Sequence, residues 1–405
     1  MKNKIRKSKI STKTLKLISI SISFAFSFFI LEIISRIAPA TDVFPLEKPL
    51  KCDLTKPINL KCLHRRKPYI KGTWSAGKFK AFNSTAFKET NDIGQFSDVD
   101  FKDFIAPQKN KLRVVSIGDS FVEALQVENK STFHGRLNAK ETTQGNQIIS
   151  TSIGASGMAF PNYIASIRYL KNNIDLEKIV LVIPIISNDF DQSFEKYGNR
   201  GRRGGLGQFY FQKDSQSLKF KPFKYKNNFL QKSINFILKN SALSRYLIYN
   251  LRIGEQLKRN FIFLTNQTNN KPVFDANIIE SSEAQTPLRY QYGKYATKYF
   301  LSNIKQLRKT NLERTMTIFV IDSDRKTIYD ENFPKNTLFE SQRNYFISKA
   351  LNYGYKIIDM NEILSKNYKE NRKRFDFIND SHWNELGHKL VFEEISKKFN
   401  LKKQI

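Results

Sequence analysis

The chain has 405 residues, of which 40% are hydrophobic and 13% aromatic, and this composition excludes an intrinsically disordered chain. Its 68 Lys and Arg residues against 37 Asp and Glu residues give a formal net charge of +31. This charge favours binding to anionic surfaces such as lipid headgroups, acidic polysaccharide or nucleic acid. The cations are spread along the chain without the basic motifs or zinc-finger spacing of nucleic-acid binders. We therefore expect no nucleic-acid partner.

The first forty residues have the pattern of an export segment. Residues 1–16 contain seven cations and no acidic residue, and the run from Leu17 to Leu31 carries no charge. This predicts a basic cytoplasmic leader (1–16) and a transmembrane signal anchor (17–38), with the rest of the chain outside the cytoplasm. Ala38-Pro39-Ala40 has the small-x-small form of a cleavage site, so a secreted protein cleaved after Ala40 is the alternative.

Residues 39–110 predict a polar juxtamembrane arm whose end, from Phe82 to Phe101, covers one side of the following domain. The two cysteines of the chain, Cys52 and Cys62, lie in this arm. They are expected to form a disulfide in an oxidising compartment, and two unpaired thiols are the alternative. Only His64 lies nearby, so a zinc site lacks its four ligands.

From residue 111 onward, apolar strand patterns alternate with helical ones. This predicts a parallel sheet covered by helices on both faces, in a domain over 111–400. The predicted strands are Leu112–Gly118, Gln147–Ile153, Ile179–Ile186, Thr315–Ile321 and Tyr355–Met360. The predicted helices are Ser131–Lys140, with Ser131 as N-cap, Pro161–Asn172, Phe339–Asn352 and Asn384–Phe399.

Residues 191–310 interrupt this alternation, and we interpret them as an insertion or lid within the domain. They contain a basic glycine-rich loop, Asn199–Gly205, and short aromatic strand-like pieces within Gln208–Lys224. Helices are predicted over Asn228–Phe236, Ala242–Thr265 and Tyr292–Lys309.

Polar residues that carry acyl-transfer chemistry follow several of these strands. Ser120, in Gly118-Asp119-Ser120, stands at the carboxyl edge of the first strand, where open α/β sheets handle ligands. A serine nucleophile needs a general base, and His382 stands just before a predicted helix with Asp380 beside it to fix its tautomer. Among the four histidines, His388 is expected to face outward or to cap its helix.

An oxyanion hole needs hydrogen-bond donors aimed at developing negative charge. The candidates are the backbone N–H groups of Ser120 and Gly157 and the side-chain amide of Asn188, which ends a predicted buried strand. Taken alone, Gly157 is better explained as a turn glycine and Asn188 as a strand cap. A catalytic role is favoured because the segments around Ser120, Gly157, Asn188 and His382 occur together, in this order along the chain.

The chain resembles the SGNH/GDSL hydrolase superfamily in Gly118-Asp119-Ser120, Ser156-Gly157, Ser187-Asn188-Asp189 and Asp380-Ser381-His382. The resemblance implies a flavodoxin-like three-layer α/β/α domain and acyl-ester chemistry without a metal or other cofactor. It also implies the roles: Ser120 as nucleophile, His382 as base, Asp380 as its orienter, and Gly157 and Asn188 as oxyanion donors. Two positions depart from the family pattern. Asn379 stands where the aspartate is usual, three residues before His382, and Ile186 replaces a glycine two residues before Asn188.

Together these features predict an exported, membrane-anchored serine acyl-esterase or O-acyltransferase. Its expected substrates are short-chain or acetyl esters on an envelope or extracellular glycan, because the chain is predicted to be exported and is strongly basic. The alternative is a non-catalytic glycan-binding or assembly protein with the same fold, which the two departures from the pattern keep open. A membrane-tethered nucleic-acid binder is a third reading, which the predicted export argues against.

Overall fold

The structure, a computed structural model, describes residues 11–38, 40–47, 49, 51–78, 81–107, 110–138, 140–142, 144–194, 209–212, 217–222, 229–254, 286–310, 316–378 and 380–399. The first ten residues of the predicted leader and the predicted loop Asn199–Gly205 lie outside the described residues. So do residues 255–265 of the predicted helix Ala242–Thr265.

The N-terminal part consists of one long helix and two antiparallel strand pairs. Helix α1 (Thr12–Ile37) comes first. Strand β1 (Leu46–Glu47) pairs with β2 (Arg65–Arg66), and β3 (Lys71–Lys78) pairs with β4 (Ala81–Glu89). A short helix, α2 (Phe101–Ile105), leads into the sheet.

The remaining elements alternate between strands and helices. The first group is β5 (Lys111–Gly118), α3 (Ser120–Glu123), α4 (Phe133–Leu137), β6 (Gln147–Gly154), α5 (Phe160–Asn173), β7 (Ile179–Ile185) and α6 (Ser187–Gln192). The second is β8 (Phe209–Phe211), β9 (Leu218–Phe220), α7 (Phe229–Asn240), α8 (Ala242–Arg245), a π-helical turn (Tyr246–Asn250) and α9 (Thr286–Leu307). The last is β10 (Thr317–Ile321), α10 (Arg325–Tyr329), α11 (Leu338–Asn352), β11 (Lys356–Asp359), α12 (Met360–Asn371), β12 (Asp376–Phe377), β13 (Asp380–Trp383) and α13 (Glu385–Phe399).

Five of these strands form the central sheet, in the order β11-β10-β7-β5-β6, and every pair within it is parallel. Numbered along the chain, the five strands have the order 2-1-3-4-5, which is that of flavodoxin-like folds. From β5 the chain passes first to β6 on one side and then to β7 on the other, so the direction in which strands are added to the sheet reverses between β5 and β7. Ligands bind outside the carboxyl ends of the strands at such a reversal.

Both faces of the sheet are buried. The central strand β7 reads Ile-Val-Leu-Val-Ile-Pro-Ile and is buried throughout, and its side chains alternate between two separate cores. Helices α5, α9 and α11 pack on one face, and α4, α12 and α13 pack on the other. The predicted fold class, a flavodoxin-like three-layer α/β/α sandwich around a parallel sheet, is confirmed.

Two segments predicted to lie outside the sandwich contribute to its core. Helix α9, which was predicted as part of the insertion, buries Ala296, Phe300 and Ile304 in the first core. The arm adds Leu63 and Phe104 to the same core, and Cys52 and Cys62 form a disulfide within it. The arm is therefore packed against the domain. The boundaries at 39, 111, 191 and 310 stay predictions.

Several predicted elements differ in extent. Helix α4 ends at Leu137, short of Lys140, and Thr132 is its N-cap in place of Ser131, because the Thr132 hydroxyl accepts the hydrogen bond. Asn138 then accepts a hydrogen bond from the Ser150 N–H, at 2.6 Å, which turns the chain back to the sheet. Helix α12 and the β3–β4 hairpin were not predicted.

Helix α1 agrees with the predicted anchor in position. It has 26 residues, its most apolar stretch of 18 residues has a mean hydropathy of 2.3, and no described part of the chain buries that stretch. Its length of about 39 Å exceeds the roughly 30 Å hydrocarbon core of a bilayer. Among the described residues it is the one helix long and apolar enough to cross a membrane, and an N-terminal signal sequence has the same properties.

Candidate active site

The carboxyl edge of β5 leads directly into the predicted nucleophile. Strand β5 ends at Gly118, and Ser120 is the first residue of α3. Gly118 lies opposite Gly154 at the end of β6. A Cβ at Gly118 would lie 2.4 Å from the Val122 side chain, and one at Gly154 would lie 2.8 Å from it. The two glycines therefore let α3 pack onto the strand ends, and Ser120 is held half-buried at the edge.

Asp119, the residue before Ser120, is buried and links two of the predicted blocks. One of its carboxylate oxygens accepts from the Phe121 N–H at 3.0 Å, and the other accepts from the Asn188 amide at 3.2 Å. Burial raises the pKa of Asp119, against the opposing effects of the Phe121 N–H, the His382 ring and the Asn188 amide. The carboxyl group thereby ties the start of α3 to α6, which carries Asn188.

Ser120, His382 and Asp380 form a continuous hydrogen-bonded array. The Nε2 atom of His382 lies 2.6 Å from the Ser120 Oγ. On the other side of the ring, Nδ1 is hydrogen-bonded to Asp380 Oδ1, which also accepts from the His382 backbone N–H at 3.1 Å. Asp380 and His382 both lie on β13, where side chains two residues apart face the same side. The two-residue spacing that departs from the family pattern is therefore the spacing that a strand requires.

The residue after His382 fixes this strand in place. Trp383 is 1% exposed, and its indole N–H donates to Asp322 Oδ1 at 3.1 Å. Asp322 is also paired with the buried Arg325. The Phe121 ring lies 4.8 Å from the His382 ring and 5.1 Å from the Trp383 ring. The Phe121 ring and the buried Trp383 therefore hold the strand that carries the imidazole beside Ser120.

Electrostatics favour the orienting role of Asp380. Burial raises the pKa of Asp380, but the His382 ring and the Gln126 amide outweigh it and lower this pKa, so the carboxylate stays ionised. Burial lowers the pKa of His382, but the Asp380 carboxylate outweighs it and the pKa is raised above its ordinary value. A base with a raised pKa accepts a proton more readily, and it needs a higher pH to be neutral.

Gln126 belongs to the array and was missed by sequence reasoning. Its Nε2 donates to Asp380 Oδ2 at 2.8 Å and lies 3.1 Å from His382 Nδ1. It thus holds the carboxylate oxygen that His382 does not use. Gln126 lies 254 residues before Asp380, in the loop after α3, and no local pattern marks it.

The Ser156-Gly157 segment is held beside Ser120 by a buried carboxylate, that of Glu123. Glu123, at the end of α3, accepts hydrogen bonds from both the N–H (2.8 Å) and the hydroxyl of Ser156. Burial raises the pKa of Glu123, but Arg66 and Ser156 outweigh it and the pKa is lowered. Gly157 follows with φ +80°, a conformation that favours glycine. The Ser156-Gly157 turn is therefore fixed to the helix that begins at Ser120.

The segment Ser187-Asn188-Asp189 begins α6. Asn188 therefore lies in the first turn of a helix and is not the strand cap considered above. Its amide group donates to Asp119 at 3.2 Å and to Gln192 at 3.3 Å. Ile186 has φ −116°, which any residue adopts, so the missing glycine of the family pattern is not needed there.

The arm supplies two cations behind these loops, and sequence reasoning missed both. Arg66 donates to Glu123 at 2.9 Å, and so supports the carboxylate that holds Ser156. Lys88 is fully buried and donates to the carbonyls of Ala124 (3.0 Å) and Val127 (2.8 Å), which flank Gln126. Burial lowers the pKa of Lys88 to about 7.

The other histidines lie apart from the array. His388 was predicted to face outward or to cap its helix, and this is wrong: it is 1% exposed, and its ring stacks on Phe133 with centroids 5.9 Å apart. Burial lowers the pKa of His388. His134 is also buried, and its Nε2 lies 3.2 Å from the Val122 carbonyl oxygen.

Together the fold and the site define an α/β protein of flavodoxin-like topology with a hydrogen-bonded Ser–His–Asp array at the carboxyl edge of its sheet. The predicted oxyanion residues are joined to this array through Asp119 and Glu123.

No protein-family model and no curated protein match the chain. Solved structures that resemble it include a member of the lipolytic G-D-S-L family from Veillonella parvula, with 12% identity, a TM-score of 0.35, and coverage of 71% of this chain and 97% of that one. Another is LAE5, an α/β hydrolase enzyme from the metagenome of Lake Arreo (10% identity, TM-score 0.36, 72% and 97%). A third is a lipase/acylhydrolase from Enterococcus faecalis (9% identity, TM-score 0.31, 73% and 100%). The first bears the name of the family that the sequence resembles.

Proposed function

We propose that the chain is an SGNH/GDSL-type serine hydrolase or acyltransferase that acts on acyl esters. The observation that carries the proposal is the array from Ser120 Oγ through His382 to Asp380, with 2.6 Å between Oγ and Nε2. A serine is a weak nucleophile until a base removes its proton, and this geometry supplies the base and its orienter.

In the first step, Ser120 Oγ attacks the ester carbonyl carbon while its proton passes to His382 Nε2. The carbonyl π electrons move onto oxygen, and the N–H groups of Ser120 and Gly157 and the Asn188 amide stabilise this oxyanion. Because the Asn188 amide protons are already bonded, its 3.3 Å bond to Gln192 is the one that gives way. As the intermediate collapses, the bond to the alcohol oxygen breaks, and His382 returns the proton to that oxygen.

The acyl–Ser120 ester is then resolved by a second oxygen nucleophile. Water gives hydrolysis, and a sugar hydroxyl gives transfer. In either case the nucleophile loses its proton to His382, the acyl group leaves Ser120, and Ser120 regains a proton. We propose short acyl esters on an envelope or extracellular glycan as substrates, from the export pattern and the net charge of +31.

We propose further that α1 is retained as a membrane anchor. The Glu32 carboxylate, in its last turns, accepts hydrogen bonds from the start of α8: the Ser241 hydroxyl (2.8 Å), the Ala242 N–H (2.9 Å) and the Leu243 N–H (3.0 Å). Arg36 donates to the Asn240 carbonyl at 2.9 Å. These contacts join the helix to the folded part, and cleavage after Ala40 would remove them all.

The test of the activity is turnover of p-nitrophenyl acetate by the full chain in detergent. We expect p-nitrophenol release that is lost in Ser120→Ala and in His382→Ala. Retained turnover in both variants would contradict the proposed nucleophile and base. A folded chain with no turnover on any acyl ester would favour the alternative, a non-catalytic glycan-binding or assembly protein.

A further inference from the structure

Helix α7 presents exposed apolar side chains beside the end of α1. The side chains of Ile234, Phe236 and Ile237 are 41%, 70% and 50% exposed. Ile248 and Tyr249, in the following π-helical turn, are 45% and 39% exposed. Clustered exposed apolar side chains on a folded protein mark a contact surface.

The helix has a separate polar side. At 100° per residue, Lys232, Asn235 and Lys239 fall within about 60° of the helix circumference. Ile234 and Ile237 lie about 100° or more from each of them, whereas Phe236 lies at the border, about 40° from Lys232. A helix with a cationic polar face and a broad apolar face is suited to lie in a membrane interface, with its apolar side buried about 5–10 Å below the headgroups.

The position of α7 relative to α1 identifies the surface that it meets. Glu32 and Arg36 are the first charges after the uncharged run 17–31, so they place the last turns of α1 at the boundary of the membrane. Glu32 and Arg36 hold the junction of α7 and α8 at this level. No described part of the chain buries the apolar window of α1, so α7 does not pack along it. The end of α7 therefore lies where α1 leaves the bilayer.

We propose that the apolar face of α7, formed by Ile234 and Ile237, inserts into the interface of the membrane leaflet at which α1 emerges. The inference rests on the proposed retention of α1. The occupant is a lipid surface, because the face is continuous with the exposed apolar surface of a membrane-spanning helix. Lys232 and Lys239 lie on the polar side, where anionic headgroups attract them. The segment 229–254 then fixes the height and tilt of the folded part above the membrane.

The test places a fluorophore on each side of α7 in the full chain. Cys52 and Cys62 are joined in a disulfide, so a new cysteine is the labelled thiol. Ile237→Cys and the control Lys239→Cys, about 160° apart around the helix, are labelled with an NBD dye and reconstituted into vesicles of phosphatidylcholine and phosphatidylglycerol. We expect that lipids with a doxyl group near the headgroup remove most of the emission at position 237. Aqueous iodide is expected to quench mainly at position 239.

Quenching at position 237 by iodide, as strong as at 239, would overturn the proposal. A dye at 237 that neither quencher reaches would also overturn it, because another part of the chain or a second copy would then cover the face. Failure of the full chain to float with the vesicles would overturn the retained anchor and this inference together. Turnover of p-nitrophenyl acetate is measured on the same variants and is expected to be unchanged. Its absence in all samples would count against the esterase proposal alone.

Discussion

Replacement of Asp380 by Asn tests which group orients His382. The carboxylate accepts from His382 Nδ1–H, from the His382 backbone N–H at 3.1 Å and from Gln126 at 2.8 Å. An amide that donates to Nδ1 forces the proton onto Nε2, where it blocks transfer from Ser120. Loss of the orienting carboxylate from a Ser–His–Asp triad lowers kcat by about 10⁴-fold. We expect a loss of 10³- to 10⁴-fold, on the order of 4 to 5 kcal/mol in the barrier.

The same variant shifts the pH profile. The Asp380 carboxylate raises the pKa of His382 against the effect of burial. Without the carboxylate, burial alone acts on the ring and the pKa of His382 falls, so the acid limb of kcat/KM is expected to move to lower pH.

The assay is p-nitrophenyl acetate turnover of the detergent-solubilised full chain between pH 4 and 9. Asp376→Asn is the matched control, because Asp376 lies in the same hairpin but bonds to Arg374 and Tyr329. It should keep the wild-type acid limb. If Asp380→Asn retained wild-type kcat and pH dependence, the assignment of Asp380 as orienter would be refuted.

Three further predictions concern the residues around the array. Gln126→Glu places a second carboxylate beside Asp380, so the acid limb of kcat/KM should move to higher pH. Gln126→Leu removes one hydrogen bond to Asp380 and should lower kcat about tenfold. An unshifted acid limb in Gln126→Glu would contradict the contact of Gln126 with the array. Asn188→Ala should lower kcat by about 10²- to 10³-fold with little change in KM. Gln192→Ala frees one amide proton of Asn188 and should stay active. Equal losses of kcat in the two variants would count against Asn188 as an oxyanion donor. Lys88 has a pKa lowered to about 7 by burial, so between pH 7 and 10.5 the unfolded chain binds more protons and stability rises with pH. The difference in free energy of unfolding between the wild type and Lys88→Met, measured by urea titration, should rise by about 2 kcal/mol from pH 7.5 to pH 9. If this difference did not change with pH, a buried, neutral Lys88 would be contradicted.

The sheet could be predicted because its strands are marked locally. Apolar runs such as Ile179–Ile185 are buried on both faces and end at polar residues, and parallel strands bring those ends to one edge. For this reason Ser120 and Asn188, which are 68 positions apart, could be placed at one site. His388 could have been predicted as buried, since it shares a helix face with Val391 and Ile395 at intervals of three and four residues.

The residues behind the site could not be predicted. Arg66, Lys88 and Gln126 contribute through contacts with residues far along the chain or within irregular loops, and no spacing rule describes them. The strand 71–78 that precedes Lys88 in the hairpin alternates weakly between polar and apolar residues, so it resembled a linker. A buried lysine in an arm is visible only when the arm is seen packed against the domain.

The most direct test of a nucleophilic Ser120 is covalent labelling by a fluorophosphonate, mapped by mass spectrometry of the full-length protein. The reagent phosphonylates an activated serine with loss of fluoride. We predict a single adduct on Ser120 that is absent from Ser120→Ala and much slower to form in His382→Ala. No adduct on Ser120 in the folded wild-type chain, or equal labelling in His382→Ala, would contradict a serine activated by His382.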